Sequence, residues 1–275
     1  MPFLASSDYT KIYYEDYGQG ETILFAHGLG SNHMELKNFI NEFKSDYRCI
    51  CYDQRGHGAS DKSLFHMNVK RLGQDMNDLI NYLDLKNITV IGHSMGAASI
   101  FSYVNQFGCN RLKQIISVDM TPYMRNTVWE GGLVCGRQTD EDFLCDLDRI
   151  FDDYGAGIWH IAKLMNPSLA SVPAEFESSM AVTARQGQDP LTFASLWYSL
   201  FRTDQRPAMQ KISVPFLYIM PEKGLYSMKT ADFIRENVKG GFTLAKDFPG
   251  TTHLILMERP RECAECIKNF MSKGA

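Results

Sequence analysis

The sequence predicts an α/β protein, with a mostly parallel central sheet, helices on both of its faces and a helical insertion. Three observations predict it. Short apolar, β-branched stretches alternate with amphipathic helical stretches from residue 11 to about 118, the pattern of parallel strands joined by helical crossovers. From about residue 121 to 207 only helical character remains. Strand character then returns at Val214. An interruption of some 85 residues at one strand's end is too long for a plain connection, and it reads as a cap over a site.

In order, Lys11-Ile12-Tyr13-Tyr14-Glu15 reads as a strand and Gly18-Gln19-Gly20 as a turn. Thr22–Ala26 is a second strand, ending at His27-Gly28-Leu29-Gly30. Tyr47–Tyr52 is a third, ending at Asp53. Residues 68–84 carry Leu72, Met76, Leu79, Ile80 and Leu83 near helical spacing. Ile88–Ile91 is a strand, and a helix runs from about Met95 to Phe107. Gln114–Val118 is the next strand. In the insertion, Thr139 and Asp142 have capping-box spacing, with Phe143, Leu147, Ile150 and Phe151 on one helix face. Ile158–Met165 and Pro173–Arg185 read as further helices. Asp189-Pro190, an N-cap followed by proline at the first helical position, opens Leu191–Phe201. Val214–Ile219 and Phe242–Lys246 are the last strands, and Pro260–Met271 the last helix. The expected division is a core at 1–120 and 208–275, with the cap at 121–207.

Bulk properties narrow the function classes. A chain of 275 residues with 44% hydrophobic and 22% charged residues can bury a large core. A net charge of −4 without a basic block argues against nucleic acid as a partner. No apolar stretch approaches membrane-spanning length, and Met1–Asp8 lacks the features of a signal peptide. The expectation is a soluble, cytoplasmic protein. Seven cysteines form no zinc pattern, and all are expected to be reduced and structural. Cys49 and Cys51 alternate on a strand and would share one sheet face.

Gly92-His93-Ser94-Met95-Gly96 lies between the strand Ile88–Ile91 and a helix that starts with small residues. A serine there sits on a turn so sharp that its neighbours two places away must nearly lack side chains. Such an elbow lifts the Ser94 hydroxyl clear of the sheet and aims a helix N-terminus at any developing oxyanion. A serine hydroxyl still needs a base within hydrogen-bond reach to act as a nucleophile.

On these residues the chain resembles the α/β-hydrolase fold family, in particular its capped esterase-like members. The landmarks are His27-Gly28-Leu29-Gly30, Asp53-Gln54-Arg55-Gly56-His57-Gly58-Ala59-Ser60, Gly92–Gly96, the Val214-Pro215 strand and Thr252-His253. They occur in the family's order over nearly the whole chain. The resemblance implies that Ser94 is the nucleophile and His253 the general base, placed in the loop Pro249–Thr252 after the last strand. It implies an oxyanion hole made by the backbone N–H groups of Met95 and Leu29. His27, His57, Asp53 and Arg55 would be structural, charges at strand ends needing partners.

The acid departs from the family's pattern. A common pattern is V-P-x-L-x-x-x-G-x-x-D. Laid on Val214–Gly224, it puts Gly224 where the aspartate is expected. Asp119, ending the preceding strand, and Glu222 are both available as substitutes, and the absence of any acid is the third possibility.

The resulting expectation is a cofactor-independent and metal-independent serine hydrolase. It would cleave a small or medium, apolar carboxylic ester through an acyl-enzyme. Tyr123, Trp129, Trp159 and Trp197 in the insertion are candidate substrate-binding residues, beside Met165, Met180, Phe193 and Tyr198; the same spacing also suits a core for the cap itself. Lactonase, thioesterase, carbon–carbon bond hydrolase and perhydrolase chemistry on the same fold stay open, as does a catalytically silent ligand receptor, which Gly224 keeps in play. The sequence leaves the oligomeric state open.

Overall fold

The computed structural model describes residues 2–62, 65–127, 129–173 and 189–273. Eight strands form one sheet: β1 (Phe3–Ala5), β2 (Lys11–Tyr17), β3 (Thr22–Ala26), β4 (Arg48–Tyr52), β5 (Ile88–His93), β6 (Leu112–Val118), β7 (Phe216–Ile219) and β8 (Phe242–Ala245). Their spatial order is β1-β2-β4-β3-β5-β6-β7-β8. β1 and β2 pair antiparallel, β2 pairs antiparallel with β4, and every later pairing is parallel. The chain therefore reverses its direction of travel across the sheet next to β3, so ligands are expected beyond the carboxyl ends of β3 and β5. Those ends are His27-Gly28 and Ser94.

Helices cover both faces. On one, α2 (Val69–Tyr82) and α3 (Met95–Phe107) bury Leu72, Met76, Ile100 and Phe101 against β3, β5 and β6. On the other, α1 (Lys37–Asn41) and the C-terminal helix Pro260–Lys273 bury Phe39, Ile40, Cys263 and Ile267. Cys49 and Cys51 share that second face, as their alternation requires. All seven cysteines are free; Cys135 and Cys145 are exposed rather than packed.

Between β6 and β7 the described residues hold helices and no strand. α4 (Asp140–Asp152) starts with the expected capping box: Asp142 N–H donates to Thr139 Oγ1 (3.1 Å) and Thr139 N–H to Asp142 Oδ2 (2.9 Å). α5 (Tyr154–Met165) follows, then a 3₁₀ turn at Pro167–Ser171. α6 (Pro190–Arg202) is capped by Asp189, which accepts from Thr192 N–H at 2.7 Å. The expected helix Pro173–Arg185, with Met180, lies almost wholly outside the described residues. No helix of the described residues is long and apolar enough to cross a membrane.

Two buried charged groups lock the loop after β4. Arg55 is fully buried and holds Asp75 of α2 through two bonds, Nε to Oδ2 at 2.5 Å and Nη2 to Oδ1 at 2.7 Å, with Asp8 beyond. Asp53 accepts from His33 N–H (2.7 Å) and Ala59 N–H (2.8 Å), so its partners are His33 and the backbone.

Candidate active site

Ser94 occupies a left-handed backbone conformation, φ 52° and ψ −120°, between β5 and α3. That conformation is costly for any residue with a Cβ and persists only where its surroundings enforce it. Here they do. Ser94 N–H donates to Val118 C=O on β6 (3.0 Å), and Ser94 C=O accepts from Ala97 N–H (2.9 Å). The flanking glycines are required by space: a Cβ on Gly92 would strike the backbone of Gly96 and Ala97, and one on Gly96 the carbonyl of Ala26. The turn is therefore pressed against β3 with no room for side chains.

His253 lies in the loop after β8 and is buried. Its Nδ1 meets Asp119 Oδ2 at 2.7 Å. A carboxylate only accepts, so Nδ1 is the donor in this contact. Asp119 ends β6 with φ 43°, is fully buried and also accepts from Leu225 N–H (3.0 Å). Glu222 is exposed and accepts from Gly250 N–H, away from the imidazole. Of the two candidate acids, Asp119 is the one at the histidine. The loop after β7 is tied to the histidine loop by Lys223 N–H, which donates to Thr251 C=O (2.8 Å), and Glu258 accepts from both Thr252 N–H and Thr252 Oγ1 of the latter loop.

Leu29 follows β3. On either side of it, Gly30 N–H donates to His57 Nε2 (3.0 Å) and Ser31 N–H to Gly28 C=O (3.2 Å). The Leu29 N–H is left without an acceptor among the described residues. Met95 is the first residue of α3, where a backbone N–H has no partner within the helix. The loop is held from behind by two neutral histidines. Gln54 N–H donates to His27 Nε2 (3.0 Å), so His27 Nδ1 donates to Gly28 C=O (2.7 Å). Burial lowers the His27 pKa, and burial with the neighbouring His27 lowers that of His57 to about 3.

The sequence reading missed His93 as a positioning group. It is buried inside the elbow, its Nε2 donates to the His253 backbone C=O (2.7 Å), and its ring lies 4.8 Å from the His253 ring. Burial, then the neighbouring His253, lowers its pKa to about 3, so it is neutral near pH 7. Nothing in spacing flags it, because its partner is 160 residues away.

Ser94, His93 and His253 line one cavity of about 100 Å³ with Leu29, Glu35 and Met165. Met165 closes α5, and Phe193 of α6 lies against Gly30, so the helical segment reaches the serine. The aromatic candidates do not line this cavity. Trp197 stacks on Phe143, which stacks on Phe201 at 3.7 Å. Trp159 is buried on α5. Trp129 donates its indole N–H to Tyr123 C=O (3.1 Å) and packs on Phe233, with Arg206 over both the Tyr123 and Trp129 rings. Trp159 and Trp197 are thus buried on helices of the segment, whereas Tyr123 and Trp129 lie in the connection between β6 and α4. Among the described residues no group of three His, Cys, Asp or Glu could hold a metal ion.

Comparison with known proteins agrees with this fold. Residues 21–134 match the family model described as alpha/beta hydrolase fold. A Synechocystis sp. protein assigned by name to the non-heme chloroperoxidases is 33% identical over 289 residues, spanning 98% of this chain and 100% of that protein. The non-heme chloroperoxidase of Kitasatospora aureofaciens is 33% identical over 126 residues, which span 44% of this chain and only 45% of that protein. A solved esterase from Exiguobacterium antarcticum superposes with a TM-score of 0.83 at 22% identity, covering 98% of this chain and 99% of that one. Elbow, sheet order and full-length likeness converge, and the chain belongs to the α/β-hydrolase fold family.

Proposed function

We propose that the protein is a serine hydrolase that cleaves small or medium carboxylic esters through an acyl-enzyme. The observation that carries this reading is the buried His253 Nδ1–Asp119 Oδ2 bond of 2.7 Å, on an imidazole that shares a cavity with Ser94. Asp119 fixes the tautomer and stabilises the imidazolium as it forms. Ser94 Oγ attacks the ester carbonyl while His253 Nε2 takes its proton. The carbonyl oxygen becomes an oxyanion that accepts from Leu29 and Met95 N–H. The intermediate collapses, the C–O bond to the alcohol breaks, and His253 returns the proton to the departing oxygen. Water then repeats the sequence on the acyl-enzyme and frees Ser94. In this reading, residues 121–207 are the cap and 1–120 with 208–275 the catalytic core.

The test is hydrolysis of a 4-nitrophenyl ester beside Ser94→Ala. Wild type should turn over, and the variant should lose about 10⁴-fold or more of kcat. A wild type inert toward esters, thioesters and lactones, or an unimpaired Ser94→Ala, overturns the reading. The names of the chloroperoxidase relatives favour one second reading, a perhydrolase. There hydrogen peroxide replaces water as the acceptor of the acyl group, giving a peracid and free Ser94. Peracid formation that exceeds hydrolysis, and that Ser94→Ala abolishes, would select it.

A further inference from the structure

The wall of the Ser94 cavity carries one carboxylate of its own, Glu35. The remaining lining residues are two glycines, apolar residues such as Met165, Leu254 and Met257, Ser31 and Ser94, and the two histidines. No lysine or arginine lines it among the described residues. Of the titratable groups facing it, His93 is neutral near pH 7 and His253 is paired with the buried Asp119. The cavity thus has a carboxylate on its wall, another behind its base, and no lysine or arginine among the described residues that line it. Glu35 as a residue is exposed, and the protein around its carboxyl still raises its pKa, a hydrogen bond with Ser31 acting against the rise.

We propose that Glu35 is a specificity-determining residue that sets the charge of the acceptable acyl group, favouring esters with a cationic or hydrogen-bond-donating tail and rejecting those with a carboxylate. This rests on the serine hydrolase reading above. A carboxylate near a bound tail acts on it through Coulomb attraction or repulsion, and the exposure of Glu35 to solvent moderates the effect. The expected discrimination owed to Glu35 is about tenfold between tails of opposite charge.

The experiment uses three 4-nitrophenyl esters of similar length: the hexanoate, the hydrogen adipate and the 5-(trimethylammonio)pentanoate. The readout is the ratio of kcat/KM for the cationic over the anionic ester. In wild type it should exceed one and shrink in 1 M salt. Glu35→Gln should lower it about tenfold, and Glu35→Lys should lower it further, below one. Thermal unfolding of each variant confirms that it is folded. A wild-type ratio at or below one, or a change of less than threefold in both variants, overturns the inference while leaving hexanoate hydrolysis, and so the hydrolase reading, standing. Failure of wild type on all three esters overturns the inference, and inertness toward thioesters and lactones as well overturns the hydrolase reading.

Discussion

Gly224 stands against the Asp119 carboxylate: a Cβ at 224 would lie 2.7 Å from Asp119 Oδ1 and 2.9 Å from Oδ2. The carboxylate missing from position 224 and the carboxylate present at 119 thus meet in one volume. The glycine is the space that Asp119 needs. The two positions converge because β6 and β7 are parallel neighbours, with Val118 paired to Ile219, so the ends of both strands open toward the same imidazole.

Gly224→Ala tests that relationship. The carboxylate cannot yield freely, because its Oδ2 is held by both His253 and Leu225 N–H. The added methyl should displace it and cost about 1–3 kcal/mol of stability, as overpacking does. Ester turnover should fall about 100-fold through misplacement of the imidazole. Urea unfolding and kcat read the two effects, and a variant with wild-type values of both would show that the contact is soft.

Asp119→Asn and Glu222→Gln should separate the two carboxylates. The first should lower kcat about 10⁴-fold with the fold intact, because the amide no longer fixes the histidine tautomer. The second should leave kcat within about twofold, since Glu222 only ties Gly250 N–H. Steady-state kinetics on one ester checks both. Equal losses in the two variants would return the acid assignment to open competition.

The sheet was legible because burial on both faces makes parallel strands continuous apolar runs, and β3 and α3 match their expected bounds. The helix Met228–Asn237 went unseen; it buries only Thr230, Ala231 and Ile234, a face too weakly apolar to show as periodicity. β1, only Phe3–Ala5, is too short to carry a pattern. The positions of Ser94 and Asp119, just beyond the ends of β5 and β6, were legible because each follows an apolar run. The contacts of Glu35 and His93 at the cavity were not, because the cavity joins segments far apart in the chain: Nε2 of His93, at the end of β5, meets the His253 backbone C=O. Trp159 and Trp197 stayed ambiguous in sequence because one helical period serves both a core and a binding wall.

Acid should unfold the protein through its buried histidines. His57 and His93 have folded pKa values of about 3 against an ordinary 6.5, and His27 is lowered too. A lowered folded pKa means that the unfolded chain binds more protons below pH 6.5. The stability these groups allow is complete above 6.5 and is lost as the pH falls toward 3. Each contributes a slope of up to about 1.4 kcal/mol per pH unit in that window. Urea unfolding between pH 6 and 4 should show this fall, and His57→Gln should flatten it by about one proton. An unchanged slope would mean that His57 is protonated in the folded protein.

The buried pair Arg55–Asp75 should resist removal of one partner more than of both. Asp75 is almost fully buried, and burial raises its pKa while Arg55 opposes the rise. Arg55→Met leaves that carboxyl without its two strongest donors and should cost about 3–5 kcal/mol. The double variant Arg55→Met/Asp75→Leu removes the stranded charge as well. It should recover at least half of the loss, because an apolar pair needs no desolvation of ions. Arg71 also reaches Asp75 Oδ1 from its Nε (3.0 Å), so the single variant keeps one weaker partner and its loss should sit at the lower end of that range. Urea unfolding of the four proteins closes the thermodynamic cycle. If the double variant is less stable than Arg55→Met alone, the pair stabilises the fold in its own right rather than filling space at the site's edge.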